Sequence, residues 1–143
     1  MSQREGAKIL NNNSFLDELQ ARLPGLNALQ ALGWASATVK HLTQYLDASG
    51  REHLAKYLPP TLIPIAQEAK KLAELLGNER PGDFFVMSAL DAGSPPSKKG
   101  TRDTLATVMA VIRRCIPEQP AREIAKALPG DVAALWDAHP LAA

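Results

Sequence analysis

Apolar residues recur along this chain at steps of three and four. Ala35, Val39, Leu42 and Leu46 are separated by four, three and four positions, the period of a helix that buries one stripe. Leu29 and Leu32 extend that stripe toward the N-terminus. Phe15, Leu16, Leu19 and Leu23 share one side of an earlier helix, and Leu62, Ile65, Ala69, Leu72 and Leu76 form the stripe of a later one. Leu105, Met109, Ile112 and Ile116 mark another long helix, and Val132, Leu135 and Trp136 a last one. No segment alternates with the period of two that strands require. The pattern predicts an all-α protein.

The residues between stripes predict where helices begin and end. Ser14 is placed to cap the first helix, and Pro24-Gly25 ends it. The second runs from near Asn27 to about Leu46, with Gly33 as a site for a kink or close crossing. Ser49, three residues before Glu52, caps a short third helix, which Pro59-Pro60 stops. Thr61 caps a fourth, Pro64 falls in its first turn, and Gly77-Asn78 closes it. Glu79–Gly82 is a connector, and Asp83 opens a helix containing Phe84, Phe85, Met87 and Leu90. Gly93–Gly100 reads as an exposed loop. Thr101 then caps the long helix that Pro117 ends, Pro120 opens a short one, and Asp131 caps the last, which stops at His139-Pro140. The residues through Asn13 form a polar, mobile tail.

Self-similarity organises these eight segments. Leu54-Ala55-Lys56-Tyr57-Leu58-Pro59 returns 70 positions later as Ile124-Ala125-Lys126-Ala127-Leu128-Pro129. The same offset lays Phe15 on Phe85, the second stripe on the Leu105–Ile116 stripe, and Leu62 and Ile65 on Val132 and Leu135. One offset that serves four successive segments predicts a duplication. The expected architecture is a duplicated helical bundle of about four helices per repeat, with pseudo-twofold related halves. Its parts are residues 1–13 (tail), 14–78 (first repeat) and 83–139 (second repeat), with the two repeats sharing one core.

Composition narrows the classes. An apolar content of 45% supports a core, and no apolar run approaches the ~20 residues that span a bilayer. Net charge is +1, spread evenly over the two halves, which argues against a dedicated nucleic-acid binder. The lone Cys115 excludes an intrachain disulfide and fits a reducing compartment. The N-terminal residues lack the apolar region of a signal peptide. The expected location is the cytoplasm.

With its paired Leu-Pro phrases, the chain resembles a bacterial family of uncharacterised, duplicated all-helical proteins. The layout shared with that family is a Phe-containing first helix, a long helix, a short helix ending in a Leu-Ala-x-x-Leu-Pro-like phrase, and a further helix with an apolar or Trp-containing end. Here it covers about Ser14 to Ala138. The resemblance implies the fold and carries no catalytic residue. The Pro- and Lys-rich loop Gly93–Gly100 and the pair Pro59-Pro60 depart from the pattern.

Candidate chemistry is sparse. His41, His53 and His139 lie on three different segments without ligand partners at helical spacing, so no metal is expected. Cys115 reads as a small apolar filler. No glycine-rich phosphate loop or Ser/His/Asp arrangement is present, so neither catalytic residue nor cofactor is expected. Lys98, Lys99, Arg102, Arg113 and Arg114 form the one basic concentration. Arg102 and Arg113, about three turns apart, share a face. Such a strip could take an anion, although packed stems with solvated heads account for it more simply. Trp34, one position before the stripe residue Ala35, is expected to be partly exposed. With Trp136 it is a candidate interface residue.

The leading expectation is therefore a non-enzymatic interaction or adaptor protein that binds another protein, with a homodimer as one form. The alternatives are a small-molecule-binding regulator with an apolar site between the repeats and a weak nucleic-acid or phosphate binder using the basic strip.

Overall fold

A computed structural model describes residues 12–76, 88, 92, 93 and 98–138. Among the described residues the structure is helical, without strands. Seven helices occur there: α1 (Asn12–Arg22), α2 (Ala28–Thr43), α3 (Ala48–Tyr57), α4 (Ile63–Leu76), α5 (Lys98–Arg114), α6 (Glu118–Ala127) and α7 (Gly130–Ala138). The connector Glu79–Gly82, most of the helix expected from Asp83, and the tail up to position 11 lie outside the described residues, as does His139-Pro140.

Side-chain chemistry sets the starts of α2 and α3. Asn27 and Gln30 form a reciprocal capping box at α2: the Gln30 N–H donates to Asn27 Oδ1 at 2.8 Å, and the Asn27 N–H to Gln30 Oε1 at 3.0 Å. α2 ends at Thr43, earlier than the expected Leu46, because the chain tightens into turns in which the Tyr45 and Leu46 N–H groups reach back to Leu42 and Thr43. Asp47 caps α3 by accepting from the Gly50 N–H at 2.8 Å. Ser49, the cap expected from sequence, sits inside the first turn. α1 starts at Asn12, two residues before the expected cap Ser14. Leu58 is extended ahead of Pro59, and Leu128 ahead of Pro129, as the residue before a proline requires.

A second boundary correction concerns Lys98-Lys99-Gly100, expected in a loop. All three belong to the first turn of α5, and Thr101 lies within the helix. Glycine lowers helix propensity by about 1 kcal/mol relative to alanine, too little to hold back a 17-residue helix.

α2 and α5 are the central helices. α2 packs chiefly on α4, and α5 on α7; α3 rests on α4, and α6 on α7. Across the molecule α2 meets α5 and α3 meets α6, while α1 lies on both α2 and α5. One cluster of buried side chains runs through all seven helices, from Phe15 and Leu19 through Val39, Leu42, Leu54, Leu62, Leu105, Met109, Ile112 and Ile124 to Trp136. Each large apolar side chain so buried contributes on the order of 1.5–3 kcal/mol. Two hydroxyls within this interior are satisfied locally: Thr38 donates to the Trp34 carbonyl and Thr43 to the Val39 carbonyl, both at 2.7 Å.

α4 departs most from expectation. The stripe Leu62, Ile65, Ala69, Leu72, Leu76 predicts that Leu72 faces the core. The structure turns the helix so that Leu62, Ala66, Ala69 and Ala73 are buried, while Ile65 is half-buried and Leu72 is 37% exposed. α2 contributes its own buried alanines, Ala31, Ala35 and Ala37. Small side chains on an inner face allow a helix to pack closely on its neighbour, and on α4 alanine takes that place.

Candidate functional site

The residues expected at an interface are in the interior. Trp34 is 5% exposed and Trp136 1%. Trp34 is covered because α2 is enclosed by α1, α3, α4 and α5, so residues flanking the apolar stripe are buried with it. Trp136 donates its indole N–H to the Ala121 carbonyl at 3.1 Å, a bond that ties α7 to α6 and satisfies the one polar atom of the side chain.

Arg102 is exposed on α5, Arg113 is half-buried, and Lys98 and Lys99 belong to the opening turn. Arg114 is exposed but reaches across to α1, where its guanidinium donates to Glu18 Oε2 at 2.9 Å. The same carboxylate oxygen accepts from Arg22 Nε at 2.6 Å. Glu18 thus holds two arginines from two helices, and Arg114 serves the α1–α5 contact.

His41 is buried and His53 half-buried, with its Nδ1 inaccessible and unpaired. Neither belongs to a group of three potential metal ligands among the described residues. Cys115 is buried, and its thiol lies 3.6 Å from the Val111 carbonyl.

What the sequence reading missed is the outer surface of α4. Leu75 is 84% exposed, and Leu29, on the first turn of α2, is 80% exposed. Both had been read as parts of helical apolar stripes or left unremarked. At about 100° per residue, Leu75 points ~140° away from the direction of Leu62. Exposed Pro64, Glu68 and Lys71 share that side, with Leu72 at its flank. The result is a helix whose inner face carries Ala66, Ala69 and Ala73 beside half-buried Ile63 and Ile65, while Leu72 and Leu75 are exposed. The signal was available in the spacing of Leu62, Ala66, Ala69 and Ala73, which steps by four, three and four, but it competed with a stripe of larger residues sharing Leu62 and Ala69. No described helix is long and apolar enough to cross a membrane.

A family model described as an uncharacterized conserved protein (DUF2267) matches residues 12–135. Neither a curated protein nor a solved structure matches the chain.

Proposed function

Starting from its membership of the uncharacterised conserved protein family DUF2267, we propose that this chain is a non-enzymatic, cytoplasmic protein-interaction module. The observation that carries this reading is the inverted helix α4: small residues form its inner face, and Leu72 and Leu75 stand in solvent. Scattered exposed leucines are ordinary on a protein surface. Here two leucines of one helix lie on its outer side while alanines fill its inner side beside half-buried Ile63 and Ile65, an arrangement suited to apolar contact with another polypeptide. The buried tryptophans do not take part.

We also infer that the chain arose by duplication, with residues 14–78 and 83–139 as pseudo-twofold related halves. In support, α2 and α5 start at 28 and 98, and α3 and α6 at 48 and 118, one common offset of 70. Buried positions follow that offset, from Ala35 and Leu105 to Ala66 and Trp136. The contacts α2–α5 and α3–α6 join equivalent elements, as a twofold axis demands. Superposing residues 28–57 on 98–127 in a crystal structure tests this: a rotation far from 180° would exclude pseudo-twofold halves.

The interaction reading is tested by a native pull-down with the wild type beside the Leu29→Glu/Leu75→Glu variant. The expected result is a protein retained at moderate salt by the wild type and lost with the variant, with unchanged helix content by circular dichroism. Equal retention by both would remove the outer leucines from any role.

A further inference from the structure

The outer face of α4 has a spacing that specifies what it fits. Pro64, Glu68, Lys71 and Leu75 step by four, three and four and are all exposed. These are the steps of a seam between two helices. The seam is self-complementary when read backward. In an antiparallel pair of α4 helices, with the twofold axis passing between residues 69 and 70, Glu68 stands opposite Lys71 of the other copy and Lys71 opposite its Glu68. Leu75 stands opposite Pro64 in the same register, and at the flank Leu72 comes beside the partially buried Ile65. A parallel pairing in register places Glu68 on Glu68 and Lys71 on Lys71, and is repelled. Charge therefore selects one orientation, and the apolar ends of the seam then meet.

Among the described residues neither Glu68 nor Lys71 takes part in an ion pair. We propose that α4 is a self-association surface, through which two copies of this chain pair antiparallel. The proposal rests on the interaction reading above and commits its outer face to a second copy. A single helix pair of 14 residues per chain is smaller than a standard stable interface, and its two central layers are charged. The dimer is therefore weak and concentration-dependent, with its register set by the charged layers.

Sedimentation equilibrium of the full chain between roughly 10 µM and 1 mM, a range suited to a small interface, tests the proposal by charge exchange. Glu68→Lys and Lys71→Glu each place like charges opposite one another twice per dimer, and each should weaken association about tenfold or more. They change net charge in opposite directions, so a common effect cannot come from overall repulsion. The Glu68→Lys/Lys71→Glu double variant restores both pairs and should recover to within about threefold of the wild type. Leu75→Arg should leave a monomer with wild-type helix content. A wild type that stays monomeric throughout overturns the proposal, as does a dimer indifferent to the single reversals or one that the double variant fails to restore. A monomeric wild type that still captures another protein through Leu29 and Leu75 would assign the face to a different chain. In that case self-association fails and the interaction reading survives.

Discussion

α4 and α7 occupy corresponding places, each packed on a long central helix, and they solve the same task in opposite ways. α7 fills its interface with bulk: Val132, Leu135 and Trp136 are buried, and Trp136 reaches back to bond the Ala121 carbonyl. α4 uses small side chains: Ala66, Ala69 and Ala73 are buried, with Leu62 just before the helix and half-buried Ile63 and Ile65 beside them. Seventy residues apart in the sequence, Ala66 and Trp136 are both buried, the smallest apolar side chain against the largest. The difference teaches that α7 spends its apolar residues on the core, whereas α4 needs few there and carries its leucines outside.

The strongest way to break the comparison is at Trp136. Trp136→Ala should cost about 3–5 kcal/mol through lost burial and the cavity it leaves, read as a lowered midpoint in urea unfolding. A loss below ~1 kcal/mol would mean that α7 packs loosely. From the other side, Ala69→Leu inserts bulk where α4 relies on closeness and should destabilise by about 1–3 kcal/mol. If it stabilises, α4 does not lie close to its platform and the inward alanines mark a gap.

A gentler test lies on α2, the platform of α4. A methyl group built on Gly33 meets the Ala92 carbonyl oxygen at 3.7 Å, an ordinary contact. Gly33→Ala should therefore stabilise by about 0.5–1 kcal/mol through helix propensity alone, measured by thermal unfolding. A loss would mean that the crossing at Gly33 is tighter than this. The smallest effect belongs to the outer face. Leu75→Glu should change stability by no more than about 0.5 kcal/mol, so its influence should appear in association and not in the melting curve. A large loss would place Leu75 in the core.

Much of the helix layout was legible in the sequence because its markers are local. Pro59 and Pro129 end α3 and α6 through sterics with the preceding residue, and the start of α2 follows from Asn27. The rest depends on distances between helices. Leu62 and Ala69 belong equally to a stripe through Leu72 and to one through Ala66 and Ala73; only the approach of α2 decides between them. Trp34 could not be placed from its stripe because its burial depends on how many helices surround α2. The candidate surface was misread for the same reason. Trp34, expected to be partly exposed, is buried, and Leu72, expected to face the core, is 37% exposed. Lys98, Lys99, Arg102, Arg113 and Arg114 lie close in sequence, but Glu18, 96 residues before Arg114, decides what Arg114 does.

That last contact bears on how the chain folds. Glu18 and Arg114 lie 96 residues apart, and the α2–α5 and α3–α6 contacts join elements about 70 positions apart. Helical proteins usually fold fast because most of their contacts are local. This one must close long loops before its central helices meet, so its folding rate should fall below that of a bundle built from sequential neighbours. On the ribosome, where the N-terminal part emerges first, α4 is available to α2 and α3 early, but the faces that meet α5 and α6 stay uncovered until those helices arrive.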